Sequence, residues 1–180
     1  MTRPTLKGVP GKRILLALAM LLIALTLISI TLGREIYSGK QPGLASFGII
    51  HFAGYLFFLL MPVEALVPYY QGEGHAGPIL IAIALVSATL AQLIDYGIGH
   101  AVSQEAVQRV VGTKRYARAQ RALEKHGRWA IFLFNLLPLS SPNLILVAGL
   151  LRFGMWRTIV ISMMGLTVKY IGIVYVYSFF

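Results

Sequence analysis

The chain contains no cysteine, so disulfides and thiolate metal sites are excluded. Acidic residues are scarce, six Asp and Glu in 180 residues against sixteen Lys and Arg. Charge of either sign makes up 12% of the sequence, about half the share in a soluble domain. No long Ser/Gly/Pro-rich linker interrupts the chain. What is present instead is apolar: 57% of residues, with a mean hydropathy of +0.75. This is the composition of a membrane protein. We read one membrane domain, residues 14–180, behind a short basic leader, residues 1–13.

The net charge of +10 raises nucleic acid as a partner, but its placement argues against that. Arg3, Lys7, Lys12 and Arg13 precede the first apolar run. Arg109, Lys114, Arg115, Arg118, Arg121, Lys125 and Arg128 crowd between two others. Basic residues at segment ends follow the positive-inside rule. Contact with anionic lipid at the cytoplasmic face is their expected use.

Ile14 to Leu32 is free of charge and long enough to span. The sequence after it, "ITLGREIY", offers no clear small-residue cleavage site, so we read a retained anchor rather than a removed signal peptide. Four further apolar stretches follow, at 44–70, 78–99, 129–151 and 158–180. The first of these is broken by Pro62 and Pro68, and the third by Pro138 and Pro142. The other two are uninterrupted.

If every stretch crosses once and the N-terminus is inside, Arg152 and Arg157 fall on the outer face. If both broken stretches dip in and return by the same face, those arginines stay inside with the basic loop. The second arrangement satisfies the charge rule everywhere except at the mixed set Arg34, Glu35 and Lys40. Each arm of the 129–151 stretch would then be about 12–14 Å long, roughly half of a ~30 Å hydrocarbon core.

The expected fold is therefore an all-α polytopic membrane protein. It is an inverted repeat of a re-entrant helical hairpin plus a transmembrane helix, with an extra N-terminal transmembrane helix. In this reading the crossings are 14–32, 78–99 and 158–180, the hairpins are 44–70 and 129–151, and the N-terminus is cytoplasmic. An ordinary proline-kinked span is the alternative for each broken stretch, and the two readings stand level. The polar region 103–126 has Val107, Val110, Val111, Tyr116, Ala119 and Leu123 at helical spacings. It is expected to form an amphipathic helix or helix pair on the cytoplasmic leaflet. Ala84 and Ala88, four apart, give the 78–99 span a small-residue packing face.

Pro62, Pro138, Ser141 and Pro142 mark the two hairpin tips. Glu64 lies beside the first, where a carboxylate is costly and functional by default. Lys169, midway along the last span, is too central to reach the interface easily and has Glu64 as its obvious partner. Such a pair serves a pathway or fixes the fold; pairing alone does not separate these. Asn135 and Asn143 are candidates for contact with a polar head group. With Ser140 and Ser141 they also serve to satisfy backbone freed by the prolines. Asp95 is read as an interfacial acid or a partner of the basic stretch. His51, His75, His100 and His126 lack metal-ligand spacing, so we assign no metal and no cofactor. We also find no nucleophile–base pair, which argues against an enzyme.

Two segments resemble the DedA superfamily, also known as VTT-domain or SNARE-associated Golgi proteins. They are "LIDYGIGHAVSQEAVQRVVG" and "EKHGRWAIFLFNLLPLSSPNLILVAGLLRFGMW". The resemblance rests on Asp95-Tyr96-Gly97-Ile98-Gly99 at the end of a span, "KHG" at Lys125 to Gly127, the proline-centred break, and Ala148-Gly149 before Met155-Trp156. It runs from about Phe57 to the C-terminus. It implies opposed re-entrant hairpins and movement of lipid across the bilayer, with phospholipids and polyprenyl-phosphate carriers as substrates and protons as the coupling partner. Pro62-Val63-Glu64 matches the family's Pro-x-Glu; the alternative takes Glu64 as the upstream acid and Glu73 as the second. Many bacterial members carry Arg-x-x-Pro-x-x-Arg at the second hairpin. Here Pro138 stays but Asn135 and Ser141 stand in the arginine positions.

The expected function is lipid transport, with Glu64, Lys169, Asn135 and Asn143 at the substrate or proton-coupling site. The alternative is a membrane scaffold that organises lipid or recruits partners. The expected location is the cell's inner membrane. No span carries a repeated polar face, which disfavours a simple channel, although a homo-oligomer could supply a pore.

Overall fold

The structure is a computed structural model that describes residues 42–56, 63–137 and 141–179, with scattered positions between 19 and 31. The leader and most of the 14–32 run lie outside the described residues, as do Pro62, Pro138 and Ser140. Helices account for all the regular structure among the described residues. They are α1 (Leu44–Tyr55), a short 3-10 turn (Val63–Ala65), α2 (Leu66–Gly72), α3 (Gly77–Ala101), α4 (Gln104–Val111), α5 (Thr113–His126), α6 (Arg128–Leu136), α7 (Ser141–Leu150) and α8 (Met155–Tyr177). Three prolines sit in first turns, where a missing N–H costs no intrahelical bond: Pro68 in α2, Pro78 in α3 and Pro142 in α7.

Helices α3 and α8 are the two described helices long and apolar enough to cross a membrane. They run antiparallel: Gly77 faces Val174, and the Thr89 hydroxyl reaches Met163 Sδ at 2.6 Å. Much of each is exposed and apolar. Val160, Met164, Val168, Ile171 and Tyr175 form one stripe on α8, and Ile79, Val86 and Leu90 are exposed on α3. Stripes of this extent fit lipid better than water.

The register of side-chain contacts fixes how the broken stretches fold. Helix α1 runs parallel to α3, because Gly48 meets Ile83, His51 bonds Ser87 and Gln92 bonds Tyr55. Helix α2 comes back beside α1: Ser46 bonds the Tyr70 hydroxyl at 2.8 Å, and Gly54 packs on Val63. Helix α1 and the 63–72 arm thus lie antiparallel, with the start of α1 and the end of α2 both level with the N-terminus of α3. Its returning arm runs parallel to α8, with Glu64 against Lys169 and Gln71 against Ser178.

The second broken stretch pairs in the corresponding way. Helix α6 packs on α8 as α1 packs on α3, and α7 packs on α3 as α2 packs on α8. Helix α7 crosses the C-terminal part of α3 at backbone contact. A Cβ on Gly99 would collide with the Leu146 carbonyl, and one on Gly149 with the Tyr96 carbonyl. Only glycine at both positions permits that approach. The crossing buries Asp95 completely. Asp95, read from the sequence as an interfacial acid or a partner of the basic stretch, is thus covered by helix packing. Gly97 has open space around it.

Helices α4 and α5 are separated at Gly112, whose φ of +88° suits glycine. At the start of α4, Glu105's own backbone amide and the Ser103 hydroxyl hold its carboxyl below the usual range, with Arg109 adding to the effect. The amphipathic pattern is real, but its apolar side does not face lipid. Val107, Val111, Tyr116, Ala119 and Leu123 are buried in one cluster with Leu144, Ile145 and Val147 of α7. Helix α7 supplies the cover that the sequence reading gave to the bilayer. The basic residues of α5, Lys114, Arg115, Arg118, Arg121 and Lys125, are all exposed.

Candidate functional site

Two polar groupings interrupt the apolar interior. In the first, Lys169 Nζ of α8 donates to Glu64 Oε1 of the 3-10 turn at 2.8 Å. It is the one salt bridge among the described residues, and the side chains are 5% and 16% exposed. The Glu64 side is the more accessible. The Lys169 ammonium also lies 5.7 Å from the centre of the Tyr170 ring, within cation–π range.

His51, fully buried on α1, links this pair to α3. Its Nδ1 is 2.8 Å from Ser87 Oγ and its Nε2 is 2.7 Å from the Tyr170 hydroxyl. Ser87 Oγ has one hydrogen, which it donates to the backbone carbonyl of Ile83 at 2.8 Å or of Ala84 at 3.1 Å. It must then accept from His51, so the imidazole carries its hydrogen on Nδ1 and Nε2 accepts from Tyr170. The three side chains join α3, α1 and α8 in one chain with a defined direction.

The second grouping lies at the ends of α1 and α6. Asn135 Oδ1 accepts from the Tyr55 hydroxyl at 3.3 Å and from Gln92 Nε2 at 3.0 Å, while Asn135 Nδ2 donates to the Ile131 carbonyl at 2.8 Å. Asn135 is thereby satisfied and buried. Tyr55 stacks on His51 with ring centres 5.8 Å apart, which connects the two groupings.

The structure brings Glu64 and Lys169 into direct contact and places Asn135 with Gln92 and Tyr55 instead of with them. Asn143, in the first turn of α7, is buried with Nδ2 lacking a hydrogen-bond partner. Ser141 opens α7, and Pro142 is buried beside it. The Tyr96 hydroxyl donates to the Phe153 carbonyl, tying the end of α3 to the turn after α7. His51, Tyr55, Ser87, Gln92 and Tyr170 were not anticipated as site residues. The available signal was an isolated polar group in an otherwise apolar segment, the same signal that marked Lys169. Among the described residues no group of three or more His, Asp or Glu converges to hold a metal ion.

Comparison with known families gives a match to the VTT domain over residues 44–179. No curated protein and no solved structure matches the chain. The matched region takes in both broken stretches, α3, the basic helices and α8, and it contains every residue of the two polar groupings. With three quarters of its length under that model, the chain belongs to the VTT-domain family of membrane proteins, the DedA/SNARE-associated group.

Proposed function

We propose that this protein moves lipid across the bilayer and couples that movement to protonation of Glu64. The observation that carries the reading is the Glu64–Lys169 pair, held in the interior where the first hairpin meets α8. Protonating Glu64 removes the charge that fixes the turn to α8 and leaves the Lys169 ammonium with the Tyr170 ring. The hairpin is then free to shift against α8, and deprotonation draws it back. That cycle is transport and not catalysis.

In this proposal both broken stretches are re-entrant and the two halves form an inverted repeat. The matched pairings support it: α1 on α3 with α6 on α8, and α2 on α8 with α7 on α3. Starting the chain in the cytoplasm puts the basic α4–α5 layer on the cytoplasmic side of the inner membrane. The substrate pathway runs between the hairpin ends, where Tyr55 and Asn135 meet.

The test is transbilayer movement of fluorescent phospholipid in liposomes, comparing wild type with Glu64→Gln at several pH values. We expect movement in wild type that depends on pH, and a variant that folds but moves lipid slowly and without that dependence. Equal rates in both would remove Glu64 from the mechanism. A folded wild-type protein that moves no lipid would favour a scaffold.

A further inference from the structure

The chain contains two tryptophans, and both are exposed, Trp129 at 71% and Trp156 at 72%. Each is the second residue of its helix, α6 and α8. The two helices start at the same end of the bundle. The Tyr96 hydroxyl bonds the Phe153 carbonyl, which holds the start of α8 beside the C-terminal part of α3. Gly127 alone separates α6 from α5, and α5 packs on the same α7 segment that crosses α3 at Gly99. Indole rings, with an apolar body and one polar N–H, gather at membrane–water boundaries.

The other end of the bundle is marked as well. Gln71 bonds Ser178, which sets the end of α2 level with the end of α8. Tyr69, Tyr177 and Phe179 are exposed there, and Phe179 meets Tyr175 edge-on with ring centres 4.7 Å apart. From Trp156 to Tyr177, α8 runs about 31 Å at 1.5 Å per residue. A hydrocarbon core is ~30 Å thick. From Val160 to Val176 no exposed residue of α8 is charged. The aromatic ends are therefore one bilayer apart.

The tryptophan end carries charge of one sign. Arg128 precedes one ring, Arg157 follows the other, and Arg152 lies in the turn between α7 and α8. All three are exposed, and no described ion pair involves any of them. No acidic residue follows Glu124 in the chain, and Asp95, in this part of α3, is fully buried. Arg152 also has a φ of +56°, a left-handed conformation that glycine adopts without strain at a helix end. The turn thus keeps a guanidinium where a smaller residue would fit more easily. Guanidiniums pair with phosphate oxygens through charge-assisted hydrogen bonds.

We infer that Trp129, Trp156, Arg128, Arg152 and Arg157 form a boundary surface that holds anionic phospholipid against the α6–α8 end of the bundle. The rings lie level with the head groups, and the arginines balance the phosphate charge. This surface lies apart from the Glu64–Lys169 pair, and the inference stands without the transport reading.

With two tryptophans in the chain, its own fluorescence reports the lipid around them. The full chain is reconstituted in phosphatidylcholine vesicles brominated either near the head group or near the chain ends, and Trp129→Phe and Trp156→Phe isolate each ring. Bromine near the head group should quench both rings more strongly than bromine near the chain ends. In mixed vesicles, brominated phosphatidylglycerol should compete for contact with the rings about fivefold better than brominated phosphatidylcholine, the effect of about one basic residue at a charged surface. Changing Arg128, Arg152 and Arg157 together to Gln should abolish that preference and leave the depth order unchanged. Stronger quenching from the chain ends would put the rings in the hydrocarbon core and overturn the inference. Equal competition by the two lipids in wild type, or a preference that survives the loss of the three arginines, overturns it too. Rings that no brominated lipid quenches would be covered by a second copy of the chain, which also overturns it.

Discussion

Gly99 and Gly149 face each other's helices across the α3–α7 crossing, each with its Cα where a neighbouring backbone carbonyl leaves no room for a Cβ. The obstruction is main chain on both sides, so no rotamer change relieves it. Gly99→Ala and Gly149→Ala should each destabilise the fold by about 2–3 kcal/mol, the cost of overpacking a tight contact. Gly97→Ala, two residues away in open space, should stabilise the helix by about 0.5–1 kcal/mol. Thermal unfolding of the three variants in one detergent checks this, and similar behaviour at Gly97 and Gly99 would refute the close crossing.

The Glu64–Lys169 pair makes a prediction about order. Removing Glu64 strands an ammonium whose side chain is 5% exposed, whereas removing Lys169 leaves a carboxylate with 16% exposure. Glu64→Leu should cost up to about 3 kcal/mol, and Lys169→Met less, because the remaining carboxylate is closer to solvent. The double variant should be more stable than Glu64→Leu alone. A double-mutant cycle on unfolding midpoints measures the coupling, and additive losses would mean that the pair contributes nothing.

His51→Phe keeps a ring of similar size but leaves the Tyr170 hydroxyl without its acceptor. A loss of about 1–3 kcal/mol is expected for that stranded group. Tyr170→Phe in the same chain removes the stranded hydroxyl and should recover part of the loss. Nitrogen NMR of labelled histidine gives an independent check. The His51 signal should report hydrogen on Nδ1, and hydrogen on Nε2 would contradict the Ser87 argument.

The α5 helix separates charge from packing. Arg115, Arg118 and Arg121 are exposed, so changing all three to Gln should leave the unfolding midpoint unchanged. Retention of anionic lipid should fall, each lost charge weakening it by about 1 kcal/mol near a charged surface. Leu123→Ala, within the cluster shared with α7, should instead cost about 2–4 kcal/mol and leave lipid retention alone. Native mass spectrometry with thermal unfolding distinguishes the two, and an α5 that binds lipid through Leu123 would reverse the pattern.

The sequence made the helical membrane class and the two long apolar helices legible, because charge-free runs of spanning length have few other uses. Glu64 and Lys169 were visible for a related reason: an isolated charge in such a run needs a partner. His51, Ser87 and Gln92 were not singled out, since moderately polar side chains often bond locally and carry no such demand. Their importance comes from register across the chain, such as the His51–Tyr170 contact over 119 residues, which one sequence does not display. The same limit explains α5. Periodicity identified the face to be covered but could not say that α7 covers it. The burial of Asp95 was not legible either, because the close approach of α3 and α7 at Gly99 and Gly149 appears only when the two helices are seen together.

The hairpin partners also set an order of events during synthesis. Glu64 and Lys169 are 105 residues apart, and α2 packs on α8, which is made well after it. At about 5–20 residues per second, the ribosome takes roughly 5–20 s to produce the second member of the pair after the first. Throughout that interval the nascent chain holds a carboxylate, an imidazole and a returning helix without their final contacts. A chain that stops before α8 cannot make them. Such products should be held by membrane chaperones or degraded, which makes completion of α8 a checkpoint for the region that begins with α1.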